Sequence, residues 1–162
     1  MGVALRVTPQ VTVTLDATRI RYGDVASIAN GSLSQVMAGQ PLGVAAGPGF
    51  GWKDISVVKL GVQWQLDERW TLRAGYNRGD NPIGAQDAMF NILAPGVIRL
   101  HIMFGATYAP DAHTEWTFAL WHGKRENMVG PSVDFSSMAM NPTGTRIGMH
   151  QNGFGVQYSR KF

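Results

Sequence analysis

Apolar and polar residues alternate along much of the chain with a period of two, which is the pattern of β-strands that have one apolar and one polar face. In segment 58–66 the apolar positions are Val58, Leu60, Val62, Trp64 and Leu66, and they alternate with Lys59, Gly61, Gln63 and Gln65. Seven segments of this kind predict seven strands. They lie at approximately 2–8, 11–22, 53–66, 70–79, 97–109, 113–125 and 146–162.

The connections between these segments alternate between short and long. Short polar turns are predicted at 9–10, 67–69 and 110–112, and long segments rich in Gly, Pro, Ser, Asn and Met at 23–52, 80–96 and 126–145. Membrane β-barrels have this rhythm, with short periplasmic turns and longer external loops. Predicted strands of about 10–14 residues also exceed the usual soluble length of about 5–6 residues.

The predicted fold is therefore all-β: one single-domain portion, residues 1–162, of an antiparallel transmembrane β-barrel whose apolar face meets lipid. A soluble β-sandwich is the alternative, since it would alternate in the same way with its apolar face inward. Aromatic residues beside the short turns favour the barrel, because interfacial girdles occupy that position. This predicted girdle consists of Trp64, Trp70, Tyr108, Trp116 and Phe162.

The last residue strengthens this interpretation. Phe162 closes an alternating segment that begins at Phe154, and a terminal aromatic is typical of outer-membrane barrels of Gram-negative bacteria. Arg160 departs from the pattern, because an apolar residue is expected at its position. The predicted location is the bacterial outer membrane, with several strands crossing it.

The composition of the chain excludes several other classes of protein. The 162 residues are 44% hydrophobic, and no apolar run reaches the roughly 18 residues of a membrane helix. The chain has no cysteine, and its net charge of +3 comes from scattered Lys and Arg, so neither thiol chemistry nor nucleic-acid binding is predicted. The first residues do not form a secretory signal, which suggests that the chain is part of a longer protein.

Catalytic chemistry is not indicated. The chain has no Gly-x-Ser-x-Gly elbow and no phosphate-binding loop of the Walker type. Its four histidines, His101, His113, His122 and His150, lack metal-ligand spacing. We therefore expect no enzyme activity, no cofactor and no metal.

Several charged residues fall on the predicted inner face of the barrel. Ionisable groups at membrane depth tend to face a protein or water interior and to pair there, so a structural polar network that fills the lumen is expected. A polar patch that meets a carboxylate head group is the alternative. The predicted network contains Asp16, Lys59, Arg73, His101 and Glu115.

Two long segments carry Met and Phe residues that could contact a hydrophobic substrate, because methionine adapts to irregular apolar ligands. A loop cap that packs only on itself is the alternative. The candidate ligand-binding residues are Phe135, Met138, Met140, Met89 and Phe90.

Segment 51–109 carries a more specific resemblance. Gly51-Trp52-Lys53-Asp54 leads into the alternating segments 58–66 and 67–77, followed by Asn81-Pro82-Ile83 and Phe104-Gly105-Ala106-Thr107-Tyr108. This block resembles the FadL-type outer-membrane transporters for long-chain fatty acids, whose TodX-type relatives pass aromatic hydrocarbons. The resemblance implies a 14-stranded barrel plugged by an N-terminal hatch. The chain resembles only the C-terminal half, so the hatch is absent and no ligand-binding residue carries over.

The sequence thus predicts passive outer-membrane transport of hydrophobic compounds such as long-chain fatty acids or aromatic hydrocarbons. The alternatives are a structural or general pore-forming barrel without a hydrophobic site, and an outer-membrane enzyme or adhesin. Seven strands leave two open edges, so we expect a partner: the missing N-terminal half or a second copy in a 7+7 barrel. Outer-membrane lipids, the hydrophobic substrate and the barrel-assembly machinery, acting on the last strand, are the other expected partners.

Overall fold

The computed structural model describes residues 1–41 and 44–161. Seven strands form one sheet in sequence order, and every neighbouring pair is antiparallel. The strands are β1 (Gly2–Arg6), β2 (Val11–Ile20), β3 (Ile55–Gln65), β4 (Trp70–Gly79), β5 (Leu100–Tyr108), β6 (Thr114–Asp134) and β7 (Ala139–Arg160). The all-β antiparallel prediction is confirmed. Phe162, the predicted terminal aromatic, lies outside the described residues.

The helices are short and lie in the long connections. They are α1 (Ala26–Ala29), α2 (Ser32–Met37) and the 3-10 turns Tyr22–Asp24, Ala85–Asp87 and Phe90–Ile92. The sequence reasoning did not predict them. None of the helices in the described part of the chain has the length and apolar character needed to cross a membrane.

The register places the apolar positions on one side of the sheet. Leu60 is opposite both Leu15 and Tyr76, and Tyr76 is opposite Ile102. Directly opposed residues of antiparallel strands project to the same side, so the apolar set forms one continuous face. Phe104 on this face is 59% exposed and Phe154 is 77% exposed. No second sheet covers the face within residues 1–41 and 44–161, which argues against the sandwich.

The short turns meet at one end of the sheet, as predicted. They span 7–10, 66–69 and 109–113. The Asp67 carboxylate accepts hydrogen bonds from the backbone N–H groups of Arg69 (2.8 Å) and Trp70 (2.7 Å), a local device that stabilises a tight turn. Asp111 accepts one from the His113 N–H, and this bond lowers the pKa of Asp111.

The predicted loop at 126–145 is wrong. Most of that segment belongs to strands β6 and β7, which form one long hairpin with only residues 135–138 between them. Two register shifts, at Gly123/Glu126 and Gly130/Ser132, accommodate the irregular residues, and Pro131 lies within the second. A proline is tolerated in a sheet at a bulge because its missing N–H is not needed in the ladder there.

A small core lies on the polar side of the sheet, where the hairpin meets the long connections. Ile83, Val97 and Ile147 are its buried residues, and Trp52, Met128 and Met149 pack against them. The connections thus fold back over the inner face and leave the apolar face bare. This arrangement places the two cavities described below on the inner side of the sheet and among the connections.

Candidate functional site

A cavity of about 500 Å³ lies between α2, the Ala85–Asp87 turn and the β6–β7 hairpin, and we refer to it as the outer cavity. This volume falls within the range of about 300–1,000 Å³ that is usual for small-molecule sites. Three apolar side chains, Leu33, Met37 and Met140, contribute to its wall. The full lining is Gly31, Leu33, Ser34, Met37, Gln86, Asp87, Pro131 and Met140.

Asp87 holds the walls of the outer cavity together. Its side chain is buried, and one carboxylate oxygen accepts hydrogen bonds from both the N–H and the hydroxyl of Ser32, each at 2.7 Å. Hydrogen bonds to a charged acceptor contribute about 1.5–3 kcal/mol each. The start of α2 is therefore tied to a turn that lies 55 residues further along the chain.

Gly51 makes room for this contact, because a β-carbon at Gly51 would collide with the Asp87 carboxylate. Gly51 also has a positive φ of 66°. Gly39 shares that backbone geometry, with a φ of 72°, but no described atom lies within 4 Å of the point that a β-carbon there would occupy. A side chain at Gly39 would therefore cause backbone strain alone, whereas one at Gly51 would cause both the strain and the collision with Asp87.

We predict that Gly51→Ala lowers the free energy of local unfolding of the connections by about 1–3 kcal/mol more than Gly39→Ala does. Both changes strain the backbone, but only the first displaces Asp87 and leaves the buried Ser32 groups without their partner. Limited proteolysis of the complete protein should cut segments 21–54 and 80–99 faster in Gly51→Ala. Equal cleavage rates in the two variants would contradict the role given to Asp87.

A second cavity of about 380 Å³, the inner cavity, lies between the long connections and the inner face of strands β5 and β7. Trp52 forms one of its walls, and the ring is fixed because Nε1 donates a 2.6 Å hydrogen bond to the Asn91 side-chain oxygen. Asn91 in turn donates to the Phe50 and Asp87 carbonyls at 2.7 and 2.9 Å. The other lining residues are Ala94, Pro95, Gly96, Ile98, His101, Met149 and Gln151.

The predicted capture residues separate into different environments. Phe135 and Met138 lie at the hairpin tip, 53% and 52% exposed, and line neither cavity. Met140 is part of β7 and lines the outer cavity. Met89 packs beneath the hairpin, where its sulfur accepts a 3.4 Å hydrogen bond from the Val133 N–H. Phe90 is half-buried at the start of a 3-10 turn.

Three cavity residues escaped the sequence reasoning: Leu33, Met37 and Trp52. Leu33 and Met37 are four residues apart, the spacing that places two side chains on one helix face, and this was the available signal. Trp52 stands out only as a large aromatic beside glycine. Their partners come from distant segments, so no local pattern could group them.

The hairpin tip is ordered by its own polar groups. The Asp134 carboxylate accepts hydrogen bonds from the Ser136 hydroxyl (2.6 Å) and N–H (2.9 Å). These bonds favour the charged carboxylate and lower the pKa of Asp134 to about 2. Met138, at the end of the tip, has a positive φ of 54°.

The five residues of the predicted lumen network lie on the polar face but do not form one ion-pair network. Asp16 and Lys59 are directly opposed, and His101 lies two strands further in the same row. Asp16 nevertheless accepts its hydrogen bond from the Thr18 hydroxyl at 2.7 Å. Glu115 pairs with Lys161 at 3.7 Å, and in the described part of the chain no other member makes an ion pair.

Arg73 makes neutral contacts instead. Its guanidinium donates to the Gln63 side-chain oxygen (3.0 Å) and to the Thr107 hydroxyl (2.7 Å), which is 2.9 Å from the Thr117 hydroxyl. Arg73 does not pair with a carboxylate among the described residues, because the two residues directly opposite it are Gln63 and Gly105. These hydrogen bonds hold the Arg73 guanidinium in place. Among the described residues, no carboxylate lies within 4.0 Å of it to neutralise its charge.

The inner face also contains an apolar row that the prediction of a polar face overlooked. Gly75 is opposite Met103, Met103 is opposite Trp121, and Trp121 is opposite Gly153. The Trp121 ring lies over Gly153, where any side chain would collide with it. A lumen lined in this way offers apolar contacts next to polar ones.

Four predicted girdle residues lie on the apolar face towards the short turns. Trp70 and Tyr108 are directly opposed with ring centroids 4.7 Å apart, and Trp116 stands 4.8 Å from Tyr158, which the prediction omitted. Trp64 is opposite Leu72 on the same face. Their role as an interfacial girdle stays a prediction, and the fifth member, Phe162, lies outside the described residues.

Comparison with solved structures shows the same fold. A mutant of the TodX monoaromatic hydrocarbon channel matches 99% of this chain with a TM-score of 0.61 at 23% identity. A FadL homologue from Pseudomonas aeruginosa matches 97% with a TM-score of 0.62 at 11% identity. In each case the match covers 34% of the solved chain.

Curated relatives match over a shorter region. The long-chain fatty acid transport proteins of Escherichia coli K12 and Salmonella typhi are 33% identical over 76 residues. That region is 46% of this chain and 17% of each relative's length. The match to the family itself is longer, because the sequence model of the outer membrane protein transport proteins (OMPP1/FadL/TodX) covers residues 1–162. The chain therefore belongs to this family of outer-membrane β-barrel proteins.

Proposed function

We propose that the protein containing this chain passes hydrophobic compounds, such as long-chain fatty acids or aromatic hydrocarbons, passively across the outer membrane. The observation that carries the proposal is the outer cavity, which is built by two separate connections and the β6–β7 hairpin and offers Leu33, Met37 and Met140 to a ligand. Apolar burial drives such binding by about 25 cal/mol per Å². No covalent step or cofactor is needed.

The inner face supports a route beyond the outer cavity. The inner cavity, with Trp52, lies between the connections and the sheet, and the apolar row of Met103 and Trp121 follows. Lys59 and Arg73 lie on the same face and could hold a carboxylate head group by charge-assisted hydrogen bonds. A fatty acid would use both kinds of contact, whereas an aromatic hydrocarbon would use only the apolar ones.

The orientation of the two edge strands favours one kind of closing partner. Seven antiparallel strands mean that β1 and β7 both run towards the end with the short turns. A second copy inserted in the same orientation would place its β1 parallel to β7. Antiparallel closure requires a partner sheet with an odd number of strands whose edges run the opposite way. We therefore propose that a different segment, and not a second copy, closes this barrel.

Two further partners complete the proposal. Outer-membrane lipids cover the bare apolar face, because an exposed sheet of this size needs an apolar environment. We propose that the last strand, β7, contacts the barrel-assembly machinery. The single-domain assignment of residues 1–162 stays part of the same proposal.

Uptake experiments test the function. Cells that lack their own fatty acid transporter and produce the complete protein should take up radiolabelled oleate or toluene faster than cells with an empty vector. Uptake should persist when an uncoupler removes the proton gradient, since diffusion needs no energy source. The matched measurement is the permeation of a disaccharide, which is polar and has a mass similar to that of oleate.

The alternative, a general pore, gives the opposite result. It would admit the disaccharide and leave oleate and toluene at the empty-vector rate. The apolar lining of both cavities favours the hydrophobic route, because open aqueous pores have polar interiors. Disaccharide entry without oleate or toluene uptake would overturn the proposal.

A further inference from the structure

The outward side chains of the β6–β7 hairpin change from apolar to polar between two successive outward pairs. Leu120 and Phe154 are directly opposed and 59% and 77% exposed. The next outward pair is His122 with Asn152, joined by a 2.6 Å contact between the imidazole Nδ1 and the amide oxygen. Both are exposed. This step from apolar to polar side chains is the expected boundary between hydrocarbon and head groups.

Basic residues continue from this boundary along the same side of the hairpin. At the first register shift, Lys124 and Arg125 of β6 both lie opposite His150 of β7, and Arg125 Nη2 is 3.3 Å from His150 Nδ1. Arg146 follows, opposite Val129. We define the basic face as His122, Lys124, Arg125, Arg146 and His150, all of them exposed.

Nothing acidic balances the basic face within the described residues. Glu126 is the nearest acid in sequence, but it is opposite Met149, which packs against the core on the inner side. The two ion pairs among the described residues, Arg19–Asp54 and Lys161–Glu115, lie elsewhere. The inner side of the hairpin is covered, since Gly130 packs against Ala85 and Ala88. The positive charge is therefore presented outward only.

We propose that the basic face binds the phosphate groups of the glycolipid that forms the outer leaflet of the membrane, lipopolysaccharide. The position argues for a lipid-borne phosphate, because the charges of β6 follow directly after Trp116, Phe118 and Leu120, its alternating lipid-facing positions. Arg125 and Arg146 can each bind a phosphate with two parallel hydrogen bonds, and Lys124 adds a point charge. The lipid then holds the base of a hairpin that extends roughly 40 Å beyond His122.

The test compares two triple variants of the complete protein, purified in detergent. Lys124→Gln, Arg125→Gln and Arg146→Gln together should bind phosphorylated lipopolysaccharide about a hundredfold more weakly than wild type, at about a fivefold loss per cation. The matched control is Arg6→Gln, Arg69→Gln and Arg160→Gln, which removes the same charge at the turn end and should retain wild-type binding. Native mass spectrometry measures the bound glycolipid.

Three further arms identify the source of the phosphate. Dephosphorylated lipopolysaccharide should bind wild type as weakly as the basic-face variant does, and inorganic phosphate at the same concentration should not compete. Arg146→Gln alone, outside the apolar band, should show about a fivefold loss even if the triple variant assembles poorly. Equal binding by wild type and either basic-face variant, or an equal loss in the turn-end control, would overturn the proposal.

Discussion

Replacing Met37 and Met140 with serine is expected to weaken hydrophobic substrate binding by roughly a hundredfold. Both side chains line the outer cavity, and each contributes about 1.5 kcal/mol, the lower end of the range for a methionine side chain that a ligand buries fully. Together they amount to about 3 kcal/mol, which is a factor of roughly a hundred. The measurement is the binding of a fluorescent long-chain fatty acid to the complete protein.

The hairpin tip supplies the control for that experiment. Phe135 and Met138 are as exposed as Met37 and Met140, but they line neither cavity. Their replacement with serine should leave binding within about twofold of wild type. If the tip pair weakens binding and the cavity pair does not, capture occurs at the tip, and the outer cavity is only a gap in a self-packed cap.

Phe118→Arg is expected to destabilise membrane insertion by about 2–4 kcal/mol. Phe118 is opposite Ala106 and Val156 in the middle of the apolar face, where an arginine would meet hydrocarbon. Its neighbour Ala119 has the opposite orientation and lies between Gly105 and Gly155 on the inner face. Ala119→Arg adds the same charge one residue away, towards a lumen with space for it.

Urea-dependent folding of the complete protein into phospholipid vesicles measures the difference. Phe118→Arg should shift the midpoint to lower urea, whereas Ala119→Arg should stay near wild type. The reversed order would mean that the apolar face is turned inward. Equal destabilisation by both variants would show that each face is packed against protein.

Local alternation determined the strands and their faces in this chain. The period of two determines which residues of β2 to β5 share a face, because a slip by one residue would exchange the apolar and polar faces. The short turns were equally readable, since Asp67 and Asp111 stabilise them through bonds to residues two or three positions away. Membership of an outer-membrane family followed from these local features and the 51–109 resemblance.

Residue composition gave a wrong prediction for the segment in which β6 and β7 pair with each other. The segment 126–145 has the glycine and proline content of a loop, yet β6 and β7 pair across most of it. Cross-strand hydrogen bonds and two bulges supply the order that the individual residues lack. Composition reports the preference of each residue alone, and therefore could not reveal that hairpin.

The binding surfaces depended on the tertiary structure alone. The outer cavity joins α2, the Asp87 turn and Met140, which are far apart in the sequence, and the Ser32–Asp87 bonds span 55 residues. The sequence marked Met140, which lines the outer cavity, but could not separate it from Phe135 and Met138, because all three share one short segment. Alternation along a strand determines which face a residue occupies, whereas a cavity depends on which distant segments fold over that face.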